Sequence, residues 1–197
     1  MATAEQIKQL REQTGAGILD AKRALEENNG DFEKALSILK AKGTAVADKK
    51  AATRTANSGL VVTYVHGEGR IGVLVEVNSE TDFVARTEEF QTLTHDVALQ
   101  IAAMSPQYVS PETMPAELVE QQHKLYEDAT RAEGKPEAIV PKIVQGKMDK
   151  WFAEVCLYRQ PFIRDDSVTI EELVKTVSAK TREKVVVRRF CRYALGE

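Results

Sequence analysis

Leu60-Val61-Val62-Thr63-Tyr64-Val65-His66-Gly67-Glu68-Gly69-Arg70-Ile71-Gly72-Val73-Leu74-Val75-Glu76-Val77 is where the chain changes its period. Leu60 to Val65 is a β-branched run, and from Ile71 onward Val73, Val75 and Val77 alternate with Gly72, Leu74 and Glu76. Branching at Cβ suits an extended backbone, and a period of two marks a half-buried strand. The short glycine-containing segment between the runs predicts a β-hairpin. Gly67-Glu68-Gly69-Arg70-Ile71-Gly72 also has the G-x-G-x-x-G spacing of dinucleotide sites. That chemistry needs a helix after the glycines, so that its N-terminal amides face the pyrophosphate. Here a strand follows, which favours a hairpin loop.

Upstream of the hairpin the period is helical. Ile7 and Leu10 mark a first helix, broken by Thr14-Gly15-Ala16-Gly17. Paired glycines supply backbone angles that a helix does not use. Ile18, Ala21 and Leu25 form the stripe of a second helix, closed by Asn28-Asn29-Gly30. Asp31 suits the N-cap of a third helix, with Phe32, Ala35, Leu36 and Leu39 on its apolar face. Gly43 is expected to close this three-helix module, residues 1–43. Residues 44–58, rich in Ala, Lys and Thr, read as a semi-flexible or weakly helical linker.

Downstream, Phe90, Leu93, Val97, Ile101 and Met104 share one face of a long helix from about Thr87. A second helix carries Leu118, Leu125 and Ala129. A third runs through Ile139, Ile143, Met148, Phe152 and Val155. Gln160-Pro161-Phe162 leads out of it, and Thr169-Ile170-Glu171-Glu172 is a capping box opening one more helix. Val185 to Tyr193 is a strand by composition. Hairpin, helices and final strand predict an α+β core over 59–197, an antiparallel sheet of about three strands with helices packed on one side.

Composition limits the function. With 43% hydrophobic residues, 29% charged residues and a net charge of −3 over 197 residues, the chain reads as an ordinary globular protein without a general affinity for nucleic acid phosphates. No run approaches the ~18 apolar residues that span a bilayer, and the first residues lack a secretory signal. Cys156 and Cys191 form no disulfide framework and no zinc-ligand spacing. These features predict a cytoplasmic location with no membrane contact, no cofactor and no metal. His66, His95 and His123 share no ligand spacing, and no Ser or Cys carries a nucleophile signature. No catalytic residue is assigned, and an enzyme is disfavoured. Lys180, Arg182, Lys184, Arg188, Arg189 and Arg192 form a basic C-terminal set. It reads either as an RNA contact or as charge that protects an edge strand from stray pairing.

Ser79-Glu80-Thr81-Asp82-Phe83-Val84-Ala85-Arg86 joins a strand to a helix, a connection that belongs on the surface, yet Phe83 and Val84 sit in its middle. Either Phe83 tucks under the hairpin, or it is presented outward as an anchor with Asp82 beside it as a polar guide. Sequence physics leaves both readings open.

Leu10 to Glu26, Val73 to Arg86, Glu154-Val155 to Gln160-Pro161-Phe162, and Val186 to Phe190 together resemble the bacterial translation elongation factor Ts family across nearly the whole chain. The resemblance implies a ubiquitin-associated-like (UBA-like) N-terminal module. It also implies a role in protein biosynthesis: guanine nucleotide exchange on elongation factor Tu. Thr14, Gly15, Ala16, Gly17, Ile18 and Leu19 would dock on that GTPase. Phe83, with Thr81, Asp82 and Val84 shaping the contact, would wedge in near its bound Mg²⁺. Longer family members carry a duplicated core, whereas this chain has room for one. A homodimer through the final strand, at Val187, Cys191 and Tyr193, is therefore expected, giving a two-plus-two complex. The other reading is a ribosome- or RNA-associated binding protein that uses the basic C-terminal strand.

Overall fold

The computed structural model describes residues 3–51 and 54–197. Residues 52 and 53 of the expected linker lie outside the described residues, as do Met1 and Ala2. In chain order the elements are α1 (Ala4–Thr14), α2 (Ile18–Glu27), α3 (Phe32–Ala51), β1 (Ser58–His66) and β2 (Ile71–Ser79). Then follow α4 (Asp82–Ala85), α5 (Glu88–Met104), α6 (Ala116–Ala132) and α7 (Val140–Val155). The last are β3 (Pro161–Phe162), β4 (Asp165–Thr169), α8 (Ile170–Thr181) and β5 (Val186–Ala194). The chain forms two compact units.

The first unit comprises Met1–Leu60, Val77–Leu93 and Val174–Val186. Its N-terminal helices bury Leu10, Ala21, Ala24, Leu25, Ala35 and Leu39, with Ile7, Ala16, Phe32 and Leu36 packed against them. Thr3 and Gln6 start α1 with a reciprocal capping box, and Gly15 stops it by adopting φ +66°. Asp31 caps α3 as expected, accepting a hydrogen bond from the Lys34 amide at 3.1 Å.

Two expectations in this unit need correction. Ile18 is not part of the module's core and is 58% exposed. The packed stripe of α2 is confined to Ala21, Ala24 and Leu25, and the first turn projects past it. Nor does α3 end at Gly43, since it continues to Ala51. One glycine costs a helix only about 1 kcal/mol, and the Ala- and Lys-rich stretch that follows has high helix propensity. Farther along, Gly59 has φ +136°, and a Cβ there would collide with the Val77 carbonyl, so the two chain segments touch backbone to backbone.

The second unit comprises Val61–Glu76, Thr94–Leu173 and Val187–Glu197, and it holds most of a three-stranded antiparallel sheet in the order β1–β2–β5. Val73 and Val75 of β2 point inward and are buried, and Val187 at the start of β5 is buried as well. Helix α5 lies on that side: the Tyr64 ring meets His95 edge-on at 5.8 Å, and Arg192 Nε donates to the Ala102 carbonyl at 3.3 Å. The opposite face carries exposed Val61, Val65, Leu74 and Tyr193. Helices α6 and α7 pair around their own cluster of Val140, Val144 and Met148, joined by Val119, Tyr126, Trp151 and Phe152.

Gln160-Pro161-Phe162 does more than lead out of α7. It begins the small β3–β4 ladder. Buried Gln100 fixes that strand, donating to Gln160 Oε1 and the Pro161 carbonyl at 3.1 Å each and accepting from the Ile163 amide at 3.0 Å.

Candidate functional site

The segment after β2 is a one-turn helix built around an N-cap. Thr81 has extended backbone angles, and its Oγ1 faces the Val84 amide at 3.5 Å. The turn closes where the Arg86 amide donates to the Phe83 carbonyl at 3.2 Å and the Thr87 amide donates to the Val84 carbonyl at 3.0 Å. Successive side chains on a helix are turned by about 100°, so one turn can bury two neighbours and leave the residue before them outside. Val84 and Ala85 are buried, and Phe83 is 78% exposed. The ring is therefore held outward and is not tucked under the hairpin. Val84 offers no surface to a partner in this structure and serves as the seat of the turn. Asp82 is exposed and ion-paired with Arg86, whose Nη2 lies 2.7 Å from Asp82 Oδ2. Their i, i+4 spacing on one turn brings the two together.

The flanking residues are tied down from a distance in sequence. The Thr81 amide and hydroxyl donate to the two carboxylate oxygens of Glu183 at 3.0 and 2.7 Å. Ser79 Oγ donates to the Thr81 carbonyl at 2.7 Å. Glu80 accepts from Arg54 Nη1 at 3.0 Å and from the Lys184 amide at 2.6 Å. Desolvation pushes the Glu80 carboxyl up, but these two donors outweigh it and hold the group below its ordinary value. The tethers through Glu183 and Lys184 have no local sequence signal, because these residues follow the turn by about a hundred positions. What pointed to this segment was the apolar pair Phe83-Val84 in a strand-to-helix connection, together with the family resemblance.

The N-terminal set lies in the same compact unit. Thr14 ends α1 with its hydroxyl donated to the Leu10 carbonyl, and Gly17 is the N-cap of α2. Ala16 is partly buried against the helical core and offers little surface. Leu19 is 77% exposed beside the exposed Ile18. Among the described residues of this unit, the large exposed apolar side chains are Ile18, Leu19 and Phe83. These are three of the residues that the resemblance implies for partner contact.

The expected dimer residues divide. Val187 is only 4% exposed, and its amide donates to the Tyr158 hydroxyl at 2.9 Å, so it belongs to its own core and not to an interface. Alternation along the strand groups Val187 with Cys191 and Tyr193, but Val187, at the strand's start, is covered while the other two are exposed. Cys191 is exposed and Tyr193 is 76% exposed. Cys191 helps line a hollow with Val61, Leu74, Glu76, Arg189 and Phe190.

Much of the basic C-terminal set is occupied within the fold. Arg188 and Arg189 both reach Glu76, and Arg192 pairs with Glu197 at 2.6 Å. Lys184 Nζ donates to the Arg54 carbonyl at 3.0 Å. Among the described residues, no group of three or more His, Cys, Asp or Glu side chains is arranged to hold a metal, and no helix is long and apolar enough to cross a membrane.

A model of the elongation factor Ts family matches residues 2–197. A relative described as elongation factor Ts from Coprothermobacter proteolyticus is 52% identical over 195 residues, covering 99% of this chain and 98% of the relative. Similar proteins of the same description come from Thermotoga maritima, 54% identical over 97% of this chain and 94% of the relative, and from Carboxydothermus hydrogenoformans, 51% identical over the whole chain and 90% of the relative. With three N-terminal helices, a three-stranded sheet flanked by helices, and a match that runs from end to end, the chain belongs to the elongation factor Ts family.

Proposed function

We propose that this chain is the guanine nucleotide exchange factor for elongation factor Tu, working in the cytoplasm to release GDP without making or breaking a covalent bond. The observation that supports this most is the presentation of Phe83, with its ring exposed and the next two residues buried beneath it. An aromatic ring held out on an anchored turn loses little conformational freedom when it enters a partner. In this reading the ring wedges beside the GTPase's Mg²⁺ site. Mg²⁺ demands near-ideal octahedral coordination, so small displacements of its ligands weaken it. Loss of the ion removes charge compensation from the phosphates, and GDP leaves.

Linkage sets how much contact is needed. A factor that weakens GDP binding finds its own binding weakened by GDP in the same ratio. A 10⁴-fold effect corresponds to about 5.5 kcal/mol of differential binding, while burial of one Phe supplies roughly 1.5–3 kcal/mol. The remainder is assigned to Ile18, Leu19 and the Thr14–Gly17 turn of the 1–43 module. Asp82 contributes direction more than energy, because an exposed pair such as Asp82–Arg86 is worth at most about 1 kcal/mol.

The single core is completed by a second copy in this reading, giving a two-plus-two complex. Val61, Leu74 and Cys191 line one hollow, and with Tyr193 they supply the exposed apolar side chains for it.

Loading elongation factor Tu with fluorescent GDP and adding the protein tests the function. Release is expected to accelerate, and Phe83→Ala to slow it about 10- to 100-fold, the rate equivalent of losing one buried Phe. Unchanged release together with salt-sensitive RNA binding would instead favour the RNA-associated reading.

A further inference from the structure

Phe83 is held by something other than its own turn. A single turn of helix is unstable in water, because fixing its dihedrals yields too few hydrogen bonds. The N-cap contact here is long, with Thr81 Oγ1 3.5 Å from the Val84 amide. What orients that hydroxyl is Glu183. One carboxylate oxygen takes the Thr81 hydroxyl proton at 2.7 Å and the other takes the Thr81 amide at 3.0 Å. With its proton committed to Glu183, Oγ1 is left with a lone pair facing the Val84 amide. Bonds to an ionised acceptor are about twice as strong as neutral ones.

Glu183 is itself fixed. It follows Arg182, whose backbone is left-handed at φ +59°, and its own carbonyl accepts the Ser178 hydroxyl. Arg54 Nη1 ties the same segment again, donating to the Arg182 carbonyl at 3.1 Å and to Glu80 at 3.0 Å. The last turn of α8 also borders the α1–α2 turn, where a Cβ on Gly15 would lie 3.8 Å from the Ala179 carbonyl. One stretch, from Ala179 to Lys184, thus borders both groups of residues implied in partner contact.

We propose that Glu183 is a positioning residue for nucleotide exchange, acting through Thr81 to hold the Phe83 turn in its presented geometry. The proposal rests on the reading of Phe83 given above. It makes Glu183 a determinant of the maximal exchange rate and not of docking, because Ile18 and Leu19 are untouched by its loss.

The test has two arms on the full chain. In the free protein, amide hydrogen exchange at Val84, Arg86 and Thr87 is measured for Glu183→Ala and Glu183→Gln. Alanine is expected to speed exchange about tenfold and glutamine, which retains one carbonyl acceptor, by less. Circular dichroism should remain at the native level in both. Unchanged amide exchange overturns the proposal, whatever Phe83 does. With fluorescent GDP on elongation factor Tu, Glu183→Ala should lower the maximal release rate about tenfold. The half-saturating concentration should stay within about twofold, and glutamine should partly restore the rate. The double variant Glu183→Ala/Phe83→Ala should be no slower than Phe83→Ala alone. If the two losses multiply, Glu183 acts independently of the ring and the proposal fails. If amide exchange speeds up but Phe83→Ala leaves release unchanged, the clasp on the turn stands and the exchange reading of Phe83 falls.

Discussion

At the scale of residues, the fold spends its buried polar groups on local order and its exposed apolar ones elsewhere. Tyr158, half-buried as a residue but with its hydroxyl bonded inside the fold, shows the first kind. Its hydroxyl accepts the Val187 amide at 2.9 Å inside the second unit, and burial pushes its pKa up to about 12, so it stays protonated at physiological pH. Removing that oxygen leaves a buried amide without a partner, which costs about 1–3 kcal/mol. Tyr158→Phe is therefore expected to lower unfolding stability by that amount in urea titration, and a change below about 0.5 kcal/mol would contradict the assignment. Phe83 shows the second kind. Its ring contributes little to stability because it is exposed, so Phe83→Ala should fold normally. The sequence could not decide between a tucked and a presented ring, because the deciding contacts come from Glu183 and the burial of Val84 and Ala85. Ile18 and Val187 were misplaced for a related reason: periodicity gives the face of an element but not where its packing partner stops.

At the scale of elements, the turn after β2 is held by carboxylates. Glu80 is depressed below its ordinary value of 4.5, despite desolvation, by the Lys184 amide and Arg54. A carboxyl held lower in the fold than in the unfolded chain stabilises the fold fully above the unfolded value. That contribution is lost as pH falls below about 4.5 and through the lower folded value. Part of the acid sensitivity between pH 6 and pH 3 should accordingly disappear in Glu80→Gln, measured as the shift in urea midpoint across that range. An identical shift in both proteins would show that Glu80 does not carry it. The strands, the long helices and most caps were legible from period and capping chemistry, as in β2, α5 and Asp31. The β3–β4 ladder was not, because a two-residue strand has no period to read, and its position depends on Gln100 some sixty residues earlier. The length of α3 beyond Gly43 was not legible from the glycine alone, because the helix formers after it outweigh the cost of about 1 kcal/mol that one glycine adds.

For the whole molecule, the outer sheet face carries the account's claim about assembly. Val61, Val65, Leu74, Cys191 and Tyr193 are exposed there. Apolar surface of this kind on a sheet is normally covered by a partner. Light scattering at micromolar concentration is expected to give twice the 21.9 kDa mass of the chain, and Leu74→Asp to shift it toward one chain. A mass of one chain in the unmodified protein would remove the dimer. The exchange claim does not depend on that outcome, since the exposed apolar residues it uses, Ile18, Leu19 and Phe83, belong to the other unit. It rests instead on one ring reaching a neighbouring protein's metal site. The most direct measurement is the time course of fluorescent GDP leaving elongation factor Tu at saturating factor, for the native chain and for Phe83→Ala. The account predicts rapid release with the native chain and a rate about 10- to 100-fold lower with the variant. Equal rates for the two proteins would contradict it.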